Sequence, residues 1–139
     1  MKLRLVFGLM LVGLASACGG GGDGGDGGGS EGSDTVKVTL EEQNGSGKSG
    51  TAEMFPGAAS TDVTIEIMGT SDLDPIYVRS GTCDAPGTEI VHDLGFTAAS
   101  LGQGQIFVPL NEVATGEYIL TIEDDQTMEP IMCGAIPEQ

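Results

Sequence analysis

The chain has no tryptophan, a single histidine, few aromatic side chains, and only five Lys or Arg residues against 21 Asp or Glu. Each shortage excludes something. With so few rings, Val, Ile, Leu and Met must fill any core. One imidazole, His92, is too few for a copper or zinc centre built on several histidines. Two of the five cations, Lys2 and Arg4, stand at the very start, so Lys37, Lys48 and Arg79 are the only ones beyond it. A domain this acidic repels phosphate backbones and anionic headgroups, which argues against nucleic acid as a partner. Long apolar runs are missing as well. The single uncharged apolar stretch, Leu5 to Leu14, is about half of the ~20 residues a spanning helix needs. The remainder is therefore expected to be a soluble domain.

That stretch has a different reading. Lys2 and Arg4 precede it, and the small residues Ala15, Ser16 and Ala17 lead from it into Cys18. Positive start, short apolar run and small-residue cleavage site are the order of a secretory signal. Residues 1–17 are read as a signal peptide, and Cys18 as the lipidated first residue of a lipoprotein anchored to the cell envelope, on the periplasmic face or the cell surface. Ala15 stands where a lipobox more often has Leu, so ordinary cleavage at the same bond is the alternative. After Cys18 the chain runs Gly19 to Asp34 with glycine, serine and acids and no apolar residue. Such a segment cannot bury enough surface to offset its ordering entropy, so residues 18–34 read as a lipidated cysteine and flexible tether. Sixteen residues span roughly 20–25 Å on average and about 55 Å fully extended. A calcium-binding glycine–aspartate repeat would need a large apolar residue in each turn, and none occurs here.

Residues 35–139 are long enough for one domain. Their hydrophobic period is close to two. Val36, Val38 and Leu40 alternate with Lys37, Thr39 and Glu41; Val63, Ile65 and Ile67 alternate with Thr64 and Glu66; Tyr118, Leu120 and Ile122 alternate with Thr121 and Glu123. Each run predicts a strand with one face inward. Shorter strands are expected at Gly50–Phe55, Pro75–Arg79, Glu89–His92, Gln105–Leu110 and Ile131–Cys133. Turn chemistry separates them at Asn44–Gly47, Pro56-Gly57, Ala85–Gly87 and Gly102–Gly104. One helical turn fits Asn111–Ala114. The expected fold is all-β, an antiparallel Greek-key-type sandwich or barrel of about seven or eight short strands.

Three cysteines are an odd number for an exported chain. If Cys18 carries lipid, Cys83 and Cys133 remain as an even pair in an oxidising compartment, placed after one strand and within the last. Two free thiols forming a metal or redox site are the rival reading, without a C-x-x-C spacing or a nearby histidine to favour it.

The order VKVTLEEQNGSGKSGTAEM, PIYVRSGTC, GEYILTIED and MCGAI resembles the superoxide-dismutase-like and chordin-like (CHRD) group of exported β-sandwich domains, over most of Thr35 to Ile136. Its most specific parts are Gly81–Cys83 and Cys133–Ile136. The resemblance implies a disulfide between Cys83 and Cys133. It also implies metal ligands, and there the sequence departs. Tyr77 and Arg79 stand where the family has an H-x-H before G-x-C, and Glu123 stands where a further histidine closes the later strand. The resemblance therefore implies a degenerate site with no metal, in which Arg79 and Glu123 pair across strands at the former metal position.

Other candidates are weaker. His92 adjoins Asp93, but sequence adjacency does not aim the two side chains at each other or at a nucleophile. Glu123, Asp124 and Asp125 have the oxygens a hard cation needs, yet three acids in a hairpin turn are more often simply solvated. Met54, Met68, Met128 and Met132 are spread as core fillers are. No catalytic residue and no cofactor are expected. The favoured function is a membrane-anchored lipoprotein with a non-catalytic β-sandwich that serves envelope structure or binds an envelope protein or glycan. A copper/zinc superoxide-dismutase-like metalloprotein and a calcium- or cation-binding surface domain are the alternatives.

Overall fold

Alternation of side chains above and below a pleated strand decides where each run lies. A computed structural model of the protein describes residues 34–71 and 73–139, so the signal-peptide, tether and Cys18 expectations, apart from Asp34, lie outside the described residues. Strand β1 (Val36–Glu42) buries Val36, Val38 and Leu40 and exposes Lys37, Thr39 and Glu41. Strand β2 (Ser49–Pro56) turns Ala52 and Met54 inward, and β3 (Thr61–Ser71) turns Val63, Ile65 and Ile67 inward. Then follow β4 (Pro75–Thr82), β5 (Ala85–Ile106), one helical turn α1 (Leu110–Val113), β6 (Tyr118–Glu123) and β7 (Pro130–Ala135).

The strands close into an antiparallel barrel in the order β1-β2-β3-β5-β4-β6-β7, with β7 paired back to β1 through Glu41–Cys133 and Glu42–Met132. Sequence neighbours β3 and β4 are not paired, nor are β5 and β6, so two connections cross between non-adjacent strands. Each half of β5 is paired on one side only, the first half to β4 and the second to β3. One core of Val, Ile, Leu and Met, with two alanines, fills the interior.

The two strands expected at Glu89–His92 and Gln105–Leu110 are halves of one 22-residue strand that pairs first with β4 and then with β3. It bends between them, where Gly95 and Ala99 take positive φ and the buried Thr97 donates its N–H to the Asp74 carbonyl. Leu110 belongs to the helical turn, not to the strand. Gly102–Gly104, expected as a turn, lies in the strand interior opposite Val63, Thr64 and Ile65. Glycine is required there for space. A Cβ on Gly104 would come within 2.6 Å of the Leu94 Cβ, and one on Gly102 within 2.9 Å of the Ile76 Cδ1. The turn expected at Ala85–Gly87 sits two residues earlier, at Cys83-Asp84. Of the four methionines beyond residue 18, Met54 and Met132 are core fillers, but Met68 and Met128 are exposed. Met68 follows the inward Ile67, so strand alternation turns it outward, and Met128 sits in the β6–β7 turn with φ 58°.

Candidate functional site

Strands β4 and β6 are buried on both faces. One face supplies Ile76, Val78, Leu120 and Ile122 to the core. Cross-strand partners in an antiparallel pair share a face, so Tyr77, Thr121 and Cys133 form a row on the other side, with Arg79 and Ile119 beside it. A disulfide joins Cys133 to Cys83 at the tip of the β4–β5 hairpin, Cα to Cα 5.7 Å. The bridge holds that hairpin against the outward face of the sheet.

Within this covered face lies an ion pair. Arg79 donates from Nε to Glu123 Oε1 at 2.6 Å and from Nη2 to Oε2 at 3.0 Å. The carboxylate is buried, at 1% exposure, and the arginine side chain is 12% exposed. Arg79 stands opposite Ile119, two same-face positions from Glu123, so its guanidinium reaches along the strand and passes 5.3 Å from the centre of the Tyr77 ring. Its Nη1 donates to the Thr88 carbonyl at 3.0 Å, and the Thr121 hydroxyl donates to Glu123 Oε1 at 3.2 Å. Bidentate, charge-assisted geometry of this kind is among the stronger side-chain pairings. The hydrogen-bonded Glu123 carboxylate holds the arginine's pKa above its already high value. Burial, followed by the nearby Asp93 and Glu123 carboxylates, pushes the Tyr77 phenol upward.

Tyr77, Arg79 and Glu123 are thus brought together, and the pairing of Arg79 with Glu123 is the one the family resemblance implies. Thr121 and the Thr88 carbonyl complete the arrangement and carried no sequence signal, since each is defined only by strand pairing. The arrangement binds its own charges. A guanidinium does not deprotonate in proteins and so cannot become a metal ligand.

The other candidates separate. Asp93 Oδ1 accepts from the Gly95 N–H at 2.9 Å, shaping the local turn. His92 is half-buried, and burial lowers its pKa. Of the acidic triplet, Glu123 is inside with Arg79, whereas Asp124 Oδ1 accepts from the Gln126 and Thr127 N–H groups at 3.0 and 2.8 Å. Those two backbone donors pull the Asp124 pKa down, and Asp125 is exposed. Among the described residues no three His, Cys, Asp or Glu side chains converge as metal ligands would.

A second feature went unread in the sequence. A cleft of about 720 Å³ opens across β1, β2, β3 and the second half of β5, lined by Glu41, Glu42, Glu66, Ile67, Met68 and Leu101 among others. Its one sequence signal is the adjacent apolar pair Ile67-Met68, which breaks the alternation of β3. Comparison of the chain with family models, with curated proteins and with solved structures finds no match.

Proposed function

We propose that the chain is an exported lipoprotein, cut before Cys18 and held to the cell envelope by lipid on that cysteine, whose barrel is a non-catalytic module for binding a protein or glycan partner. The observation that carries the non-catalytic part is the Arg79–Glu123 pair. At the positions where the resembled family has imidazoles, this chain has a permanent cation already satisfied by a buried carboxylate. A closed barrel stapled by Cys83–Cys133 suits a rigid exported scaffold.

The anchoring part rests on residues 1–18 of the sequence. Asp34, the last residue of the tether, lies against the other terminus, its carbonyl accepting from Gln139 Nε2 at 2.8 Å. Two or more acyl chains, each contributing about 0.8 kcal/mol per buried CH₂, give stable anchoring where one does not. Envelope fractionation together with the intact mass of the mature N-terminus tests this. Cys18→Ser is expected to release the protein to the soluble fraction or to block its maturation. Finding unmodified Cys18 at the mature N-terminus of the wild-type protein would contradict it.

A further inference from the structure

The barrel has two unlike ends. Strands β1, β3, β6 and the first half of β5 run in one direction, so their far ends meet near residues 43–48, 73–74, 97–99 and 124–129. Asp34 and Gln139 meet at the opposite end. A tether leaving from Asp34 therefore starts away from the loop end, and the 720 Å³ cleft lies toward that loop end.

The cleft combines exposed apolar surface with uncompensated charge. Met68 is 73% exposed and Leu101 55%, although burying such side chains is favourable by about 25 cal/mol per Å². Glu41, Glu42 and Glu66 stand around them. Among the described residues no Lys or Arg forms an ion pair with these acids. Lys37 is paired with Glu53, Lys48 with Asp74 and Arg79 with Glu123, and no other Lys or Arg lies beyond residue 18. A second copy of the chain would bring the same glutamates to the cleft, and the tether would bring Asp23, Asp26 and Glu31. Like charges brought together without screening are unfavourable, so neither is the natural occupant.

We propose that this cleft docks a partner-protein segment in which apolar side chains alternate with or are flanked by Lys or Arg. The apolar groups cover Met68 and Leu101, and the cations meet Glu41, Glu42 and Glu66. This deepens the partner-binding reading above and rests on it.

Fluorescence anisotropy with a short labelled peptide of alternating lysine and leucine tests the proposal, using the full chain carrying Cys18→Ser so that lipid does not compete. An oligolysine of equal charge and an alternating glutamate–leucine peptide serve as comparisons. The lysine–leucine peptide is expected to bind, and to weaken about tenfold or more between about 50 and 500 mM salt as screening shortens the reach of the glutamates. Leu101→Ser and Glu66→Gln, both at exposed positions, are each expected to weaken it severalfold, while Glu117→Gln, away from the cleft, leaves it unchanged. Thermal melting of each variant confirms that folding is intact. The proposal is overturned if oligolysine binds as tightly as the lysine–leucine peptide, if the glutamate–leucine peptide binds as well, or if Leu101→Ser and Glu66→Gln leave affinity unchanged. Dimerisation that occludes the cleft would overturn it too. Such a failure leaves Cys18-dependent anchoring and the chemistry of the Arg79–Glu123 pair untouched, so the two readings fail separately.

Discussion

Arg79 and Glu123 are joined by two contacts, at 2.6 and 3.0 Å, that tie β4 to β6 on the face of the sheet turned away from the core. The carboxylate is buried, and the Arg79 guanidinium and the Thr121 hydroxyl supply its hydrogen bonds. Removing one partner of such a pair leaves the other buried and uncompensated, which costs about 3–5 kcal/mol, whereas replacing both by apolar groups is often close to neutral. Arg79→Met is therefore expected to destabilise by that amount in denaturant unfolding at neutral pH. Arg79→Met with Glu123→Leu is expected to recover much of the loss. Additive single and double effects would show that the two residues do not act as a pair.

The Cys83–Cys133 bridge closes a loop with a sequence separation of 50. In the chain-entropy treatment that contributes about 4 kcal/mol by restricting the unfolded chain. Intact-mass analysis should find both thiols closed to alkylation until reductant is added, and the reduced protein should unfold at markedly lower denaturant. Free reaction of both thiols in the folded protein would contradict the bridge.

Gly104 faces Leu94 across the bend of β5, with room for no Cβ. Gly104→Ala is expected to destabilise by about 1–3 kcal/mol through overpacking. Gln103→Ala, on the exposed side of the same strand, is expected to cost little. Equal effects would mean that backbone preference rather than space is decisive at these positions.

Much of this fold is legible in sequence because β1 and β3 each bury an alternating face that can be read residue by residue. Strand β6 alternates in sequence too, but the Cys83–Cys133 hairpin side covers its second face, so Thr121 and Glu123 are buried as well. The long β5 is not legible. Its glycines mimic a turn, and only the packing of Leu94 and Ile76 against them, set by tertiary bending, shows that they are strand residues. The cluster of Tyr77, Arg79 and Glu123 could be located through short motifs, but not the role of Thr121 or Thr88, which depends on strand register. Met68 reads as a core filler by composition and is turned outward by parity, so the acidic, apolar cleft stayed hidden.

His92 is the sole imidazole of the chain, so its titration can be followed without overlap. Burial places its folded pKa below the ordinary 6.5. The unfolded chain then binds the proton more readily, and stability falls as pH drops from about 6.5 through the folded value. His92→Gln is expected to flatten that slope. A midpoint at or above 6.5 by proton NMR, or an unchanged slope in the variant, would contradict the burial argument.

Copper stoichiometry tests a non-catalytic barrel most directly. Redox copper must be held through both oxidation states, and imidazoles are the ligands suited to this. Here His92 is the sole histidine, and Tyr77, Arg79 and Glu123 occupy the places the family resemblance gives to the others. Protein loaded with copper and then dialysed is expected to retain well under one equivalent per chain and to show no dismutation of superoxide above buffer. A tightly held equivalent of copper, lost on His92→Ala, would contradict it and make a redox metalloprotein the better description.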